Sequence, residues 1–164
     1  MKMMKYMNDI DRRNTGIRID PRKDSDFMFG DGNLAHVNNE ADWSKYLSEP
    51  EPQSILRLDT MGCASFSAIN AIETQINWML DTGQLPKATV AWLNASGFVQ
   101  AGRLNASDRY TAKDSGTTLE GNSMTNVGDS LRKHGLLPEK DLPMISDQGS
   151  RDANWREYYK DIPQ

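Results

Sequence analysis

One cysteine, two histidines and no long apolar stretch set the limits of this 164-residue chain. A single thiol, Cys63, excludes an intramolecular disulfide, so nothing in the fold needs an oxidising compartment. Met1 to Met7 is apolar only in patches and runs at once into Asn8-Asp9, without the apolar centre of a signal peptide. No other run is long enough to span a bilayer, so the sequence predicts a soluble, cytoplasmic protein with no membrane partner. Gly-x-Ser-x-Gly, Cys-x-x-Cys and His-Glu-x-x-His are all absent. With 23 acids against 19 bases, the net charge of −4 argues against general nucleic-acid binding. The early bases Arg12, Arg13, Arg18, Arg22 and Lys23 alternate with aspartates, which predicts a solvated mixed-charge segment. Asp24-Ser25-Asp26 and Asp31-Gly32-Asn33 do not have EF-hand spacing, and Gly30-Asp31-Gly32 lacks the context of a phosphate loop. No metal and no cofactor are expected.

What is present divides into three stretches. Residues 1–52 have weak periodicity and two turn clusters, Phe29 to Asn33 and Ser48 to Pro52, and read as an extended arm. Residues 53–145 hold the regular patterns. Phe66, Ile69, Ile72, Ile76, Met79 and Leu80 recur at helical spacing, predicting a helix over 63–80 with one buried stripe and Glu73 outside it. A shorter helix is predicted over Lys87 to Asn94, followed by a small hairpin of Phe98-Val99 and Arg103-Leu104 around Ala101-Gly102. Ser107 or Asp108 would cap a turn containing Tyr110 and Ala112. Asn122 or Ser123 would cap a helix carrying Met124, Val127 and Leu131 up to Gly135. Residues 146–164 form a polar tail whose Trp155, Tyr158 and Tyr159 offer aromatic surface for docking. The fold class is α+β.

Cys63 opens the longest predicted helix. A thiol attacks carbonyls as a thiolate, and a first helical turn favours negative charge through its open N–H groups and dipole. The Cys63 N–H would face an oxyanion forming on a bound carbonyl, and Gly62 would allow close approach and an unusual backbone angle. Cys63-Ala64-Ser65-Phe66-Ser67-Ala68, continued by Ala71-Ile72-Glu73, resembles the Cys-Trp-Ala-Phe-Ser-Ala and Ala-Ile-Glu run of papain-like cysteine peptidases. Ser107-Asp108-Arg109 falls where that family has Ser-Glu-Gln. Gly121-Asn122, the helix to Gly135-Leu136 and Glu139-Lys140-Asp141-Leu142-Pro143 are similar to its glycine turn, helix end and Glu-Asp-Tyr-Pro. The blocks cover residues 55–145. Asp59-Thr60 and Ser115-Gly116-Thr117-Thr118 look most like divergent members from bacteria and tailed bacteriophages.

The resemblance implies the helical left-hand domain of the papain-like fold. Cys63 would be the nucleophile, and Gly121 and Asn122 would contact an extended peptide. The family's oxyanion glutamine, six residues before the cysteine, is replaced by Arg57, with Gln53 four residues further back; both are weak candidates for that role. Ala64 replaces the bulky tryptophan, and the family's disulfide positions fall at Thr60 and Leu119. The family's histidine and asparagine lie about 130–150 residues beyond the cysteine, a distance that carries past Gln164. His36 and His134 are the only imidazoles, and His134 suits the C-terminal end of its helix instead. The sequence therefore predicts the nucleophile half of a cysteine peptidase, inactive by itself, with a peptide or protein substrate. The other reading is a non-catalytic papain-like domain used in assembly, for example in a phage particle, gripping other subunits through 1–52 and 155–159.

Overall fold

A computed structural model describes residues 20–21, 42–55 and 57–160. His36, the two aspartate clusters before it and most of the arm lie outside the described residues. The described chain mixes helices with two small antiparallel hairpins, an α+β arrangement. A 3-10 turn at Ser44–Tyr46 leads into the hairpin β1 (Ser54–Ile55) and β2 (Leu58–Asp59). Helices α1 (Cys63–Asp81) and α2 (Lys87–Ser96) follow, then the hairpin β3 (Val99–Gln100) and β4 (Arg103–Leu104). Helices α3 (Asp108–Asp114), α4 (Met124–His134) and α5 (Arg151–Tyr159) complete it, with a 3-10 turn at Glu139–Asp141 before α5.

Local chemistry sets most of these boundaries. Ala101 and Gly102 both have positive φ, the geometry a two-residue hairpin needs to match strand twist. The hydroxyls of Ser107, Ser123 and Ser150 accept from Tyr110 N, Asn126 N and Ala153 N, capping α3, α4 and α5. Gly97 ends α2 in the left-handed region.

Two apolar clusters form the core. Ile69, Leu93, Phe98, Leu104 and Ala106 bring together α1, α2 and the second hairpin, with Leu131 and Leu136 packed against them. Leu58, Ala112 and Tyr158 form the other, beneath Met144, Trp155 and Tyr159. The buried stripe of α1 is apolar only over its first half. It continues through Glu73 and Asn77, both buried, rather than leaving Glu73 outside. Asn77 Oδ1 accepts from Leu104 N at 2.8 Å, and its Nδ2 donates to Tyr46 O at 2.9 Å. One amide therefore joins α1, β4 and the end of the N-terminal stretch. Trp43 adds ring contacts with Tyr46 and Trp78, so the last residues of the arm pack on α1.

The aromatic tail packs on its own body. Tyr158 is fully buried, and Tyr159 Oη donates to Thr60 O at 2.6 Å. Buried Arg109 donates through Nε to Tyr158 O at 2.8 Å, through Nη1 to Pro143 O at 3.2 Å, and through Nη2 to Glu157 O. A guanidinium thus satisfies carbonyls in the last turn of α5, which would otherwise lack helical partners. Helix α5 has little amphipathic pattern in sequence; Ser150 is its one clear start signal.

Asn77→Ala should lower stability by about 2–4 kcal/mol, because it leaves buried backbone groups on two elements unpaired. Gln75→Ala, on the exposed side of the same helix, should stay within about 0.5 kcal/mol. Urea denaturation of the two variants checks the contrast.

Candidate functional site

Cys63 is the first residue of α1 and is half-buried. The chain reaches it through a tightly bonded approach. Asp59 Oδ1 accepts from Met61 N at 2.9 Å, and Thr60 Oγ1 accepts from Gly62 N at 3.3 Å. Ser65 Oγ then donates to Gly62 O at 2.9 Å. Gly62 has an ordinary φ of −92°, so no unusual backbone angle requires the glycine. Space does: an added Cβ would lie 3.1 Å from Thr60 Oγ1 and 3.2 Å from the Phe66 ring.

The start of a helix was expected to lower the thiol pKa. The Cys63 thiol is instead pushed up, chiefly by burial and also by the Asp59 carboxylate, with the Ala64 and Cys63 N–H groups opposing. Desolvation and a nearby like charge outweigh the open N–H groups here.

The other predicted site residues are placed elsewhere. Arg57 closes the first hairpin at φ +61°, and its guanidinium donates to Asp147 Oδ2 at 2.8 Å. Gln53 Nε2 donates to Asp59 Oδ1 at 3.3 Å. Gly121, at φ +87°, exchanges both backbone bonds with Thr118: its N–H donates to Thr118 O at 2.9 Å, and its carbonyl accepts from Thr118 N at 3.2 Å. Asn122 is fully buried. Its Nδ2 donates to Ser115 O, Ser115 Oγ and Thr117 Oγ1, while Oδ1 accepts from Ser123 N and Asn126 Nδ2. Asn122 thus organises the turn before α4. His134 ends α4, as expected, with Nδ1 2.7 Å from Asp114 Oδ2 on α3.

Beside the approach to Cys63 lies an open groove of about 670 Å³ lined by Thr117, Thr118, Leu119, Glu120, Trp155 and Tyr159. Tyr159 is the link, because its hydroxyl is bonded to Thr60, three residues before the cysteine.

A second polar group was not foreseen. Glu73 on α1 accepts from Ala106 N at 2.7 Å, and Glu139 accepts from Met144 N at 2.8 Å. Asp108, 5% exposed, leads α3, and Glu51 approaches it closely enough to hydrogen-bond. Burial, with mutual repulsion, raises Glu73 and Glu139 to about 7 and lifts Asp108 well above the usual carboxylate range. Oδ1 of Asp108 is buried without a hydrogen-bond partner. Neighbouring acids in so little water are stable only when some carry protons. Among the described residues, no group of three or more His, Cys, Asp or Glu side chains is arranged to hold a metal ion. Also among them, no helix is long and apolar enough to cross a membrane. The sequence signal for the cluster was slight: an acid at 73 directly between buried turns, and an aspartate beside a helix cap.

Comparison with protein-family models, curated proteins and solved structures finds no match to this chain.

Iodoacetamide should alkylate Cys63 of the folded protein at pH 7.5 several-fold more slowly than a free cysteine thiol, and Asp59→Asn should speed the reaction. A rate–pH profile with its midpoint below that of free cysteine would contradict this account of the thiol.

Proposed function

We propose that this chain is the cysteine-bearing portion of a papain-like cysteine peptidase, with Cys63 as the nucleophile and a peptide or protein as substrate. The observation that carries the reading is the position of Cys63: first residue of a 19-residue helix, half-exposed, and three residues after Thr60, whose carbonyl accepts from the groove-lining Tyr159. A second observation supports it. The acids of Ala71-Ile72-Glu73 and Ser107-Asp108-Arg109, two of the blocks behind the family resemblance, converge in one buried carboxyl cluster.

The chemistry requires a base. In acyl transfer the Cys63 sulfur forms a bond to the carbonyl carbon, the thiol proton passes to an imidazole, and the leaving group departs with a proton. With its thiol pushed up, Cys63 depends on that imidazole more than a cysteine with a lowered pKa would. His134 is held by Asp114 at the far end of α4, so the described residues give no imidazole at the thiol.

A non-catalytic role in assembly, such as a component of a phage particle, is the second reading. It is favoured by the engagement of Arg57 with Asp147 and of both Gly121 backbone groups with Thr118, which removes an expected oxyanion candidate and an expected substrate contact.

Added imidazole distinguishes the two. On the peptidase reading, imidazole added as the base should speed acylation of Cys63 by a p-nitrophenyl ester at least about tenfold over the ester alone, less than the ~10²–10⁴ of a base held in position. Intact mass should show one acyl group, absent from Cys63→Ala. A gain no greater than that of an unstructured cysteine peptide, or acylation only after denaturation, would favour assembly.

A further inference from the structure

An apolar recess of about 460 Å³ opens between α1, α2 and α4, and it shares no lining residue with the Trp155–Tyr159 groove. Its volume falls within the ~300–1,000 Å³ of small-molecule sites. Ile72 and Ile76 of α1, Trp92 of α2, Phe98 just beyond it and Leu131 of α4 supply the apolar walls. Trp92 is 57% exposed, and its ring meets that of Phe98 at 5.6 Å with a tilt of 39°. Two rings set at an angle favour a flat aromatic guest, which can pack offset on one and edge-on to the other.

One ionisable side chain at the recess decides what that guest must carry. His134, the last residue of α4, is part of the lining. Its Nδ1 lies 2.7 Å from Asp114 Oδ2, which also accepts from Ser130 Oγ. A carboxylate only accepts, so Nδ1 holds the proton of this pair, and the neutral ring then presents Nε2 as an acceptor. Among the described residues, Asp114 is the one hydrogen-bond partner of the ring, and the side chain is 53% exposed. Nε2, turned away from Asp114, therefore remains open to a guest. The carboxylate behind the ring strengthens Nε2 as an acceptor and repels a second anion. The apolar walls offer a charged guest no further partner, so its desolvation would go uncompensated. What fits is an uncharged aromatic molecule with one hydroxyl donor.

We propose that this recess binds a small hydroxyaromatic molecule, its ring against Trp92 and Phe98 and its O–H donated to His134 Nε2. The site uses neither Cys63 nor its groove, so it is independent of the peptidase reading.

Chemical-shift titration of the isotope-labelled 164-residue chain at pH 8 tests the proposal with three probes of one shape: p-ethylphenol, p-ethylanisole and p-ethylbenzoate. The phenol should move the Trp92 indole N–H and the Gly135 amide together. It should bind at least about fivefold more tightly than the anisole, which cannot donate a hydrogen bond. The benzoate, an anion, should bind more weakly than either. His134→Ala should reduce the phenol to the affinity of the anisole, while the anisole keeps its own, which shows the recess intact. A Trp92 indole that the phenol does not move would overturn the proposal. So would equal affinities for phenol and anisole in the unsubstituted chain, or a preference that survives in His134→Ala. Equal movement of the Trp155 indole at the same concentrations would do so too, since the phenol would then be adsorbing on any exposed ring. A Trp92 signal that shifts on protein dilution without a probe would assign the recess to a second copy instead.

Discussion

Glu73 and Asn77 stand one turn apart on α1, and the N–H groups of Ala106 and Leu104 donate to them. The architecture rests on this seam. An apolar pair there would have left two backbone donors, one in β4 and one just after it, buried and unpaired, a cost on the order of 1–3 kcal/mol each. Asn77 also reaches back to Tyr46, so the polar half of α1 carries the N-terminal stretch, the hairpin and the start of α3. The remaining acids follow from it: Asp108 and Glu139 are drawn in with the segments that Glu73 fixes, and Glu51 closes over them. The arrangement is most stable while the cluster keeps its protons.

The seam also defines what Cys63 can be. Ten residues separate the thiol from Glu73, about 15 Å of helix, so the carboxyls cannot serve as its base. Their contribution is mechanical. Glu73, with Asn77, holds α1 against β4 and the segment leading to α3. The approach through Asp59, Thr60 and Gly62, bonded at Thr60 to Tyr159 of the Trp155–Tyr159 groove, leads to the half-buried thiol. Helix α5, held through its terminal carbonyls by Arg109, supplies that groove's aromatic wall.

Features governed by neighbours in sequence were legible from it. The helix from Cys63 and the hairpin at Ala101-Gly102 depend on local spacing and turn chemistry and appear as expected, and of the two cap candidates at each of the next helices the structure selects Ser107 and Ser123. Features governed by distant partners were not. Glu73 looked like a surface acid because its bond to Ala106 spans 33 residues. Arg57 looked free to meet an oxyanion because its carboxylate, Asp147, lies 90 residues away. Helix α5 was hidden because its stability comes from Arg109 and a buried Tyr158 rather than from an amphipathic stripe. Of the candidate site, the position of Cys63 was readable; the raised thiol and the engaged Gly121 backbone were not, since both depend on packing.

The protonated seam is tested most directly by stability against pH. Glu73 and Glu139 titrate near 7 in the folded chain and ordinarily at 4.5, and Asp108 is displaced in the same direction. The folded state keeps these protons where the unfolded chain has released them. Their contribution is therefore complete below about pH 4.5 and is lost as pH rises through 7. Urea midpoints measured from pH 5 to 8.5 should fall steadily, by the equivalent of about 1–3 kcal/mol. Glu73→Gln, which keeps the acceptor for Ala106 but cannot ionise, should flatten the slope. A midpoint that is constant or rises over that range, with the same slope in Glu73→Gln, would contradict the account.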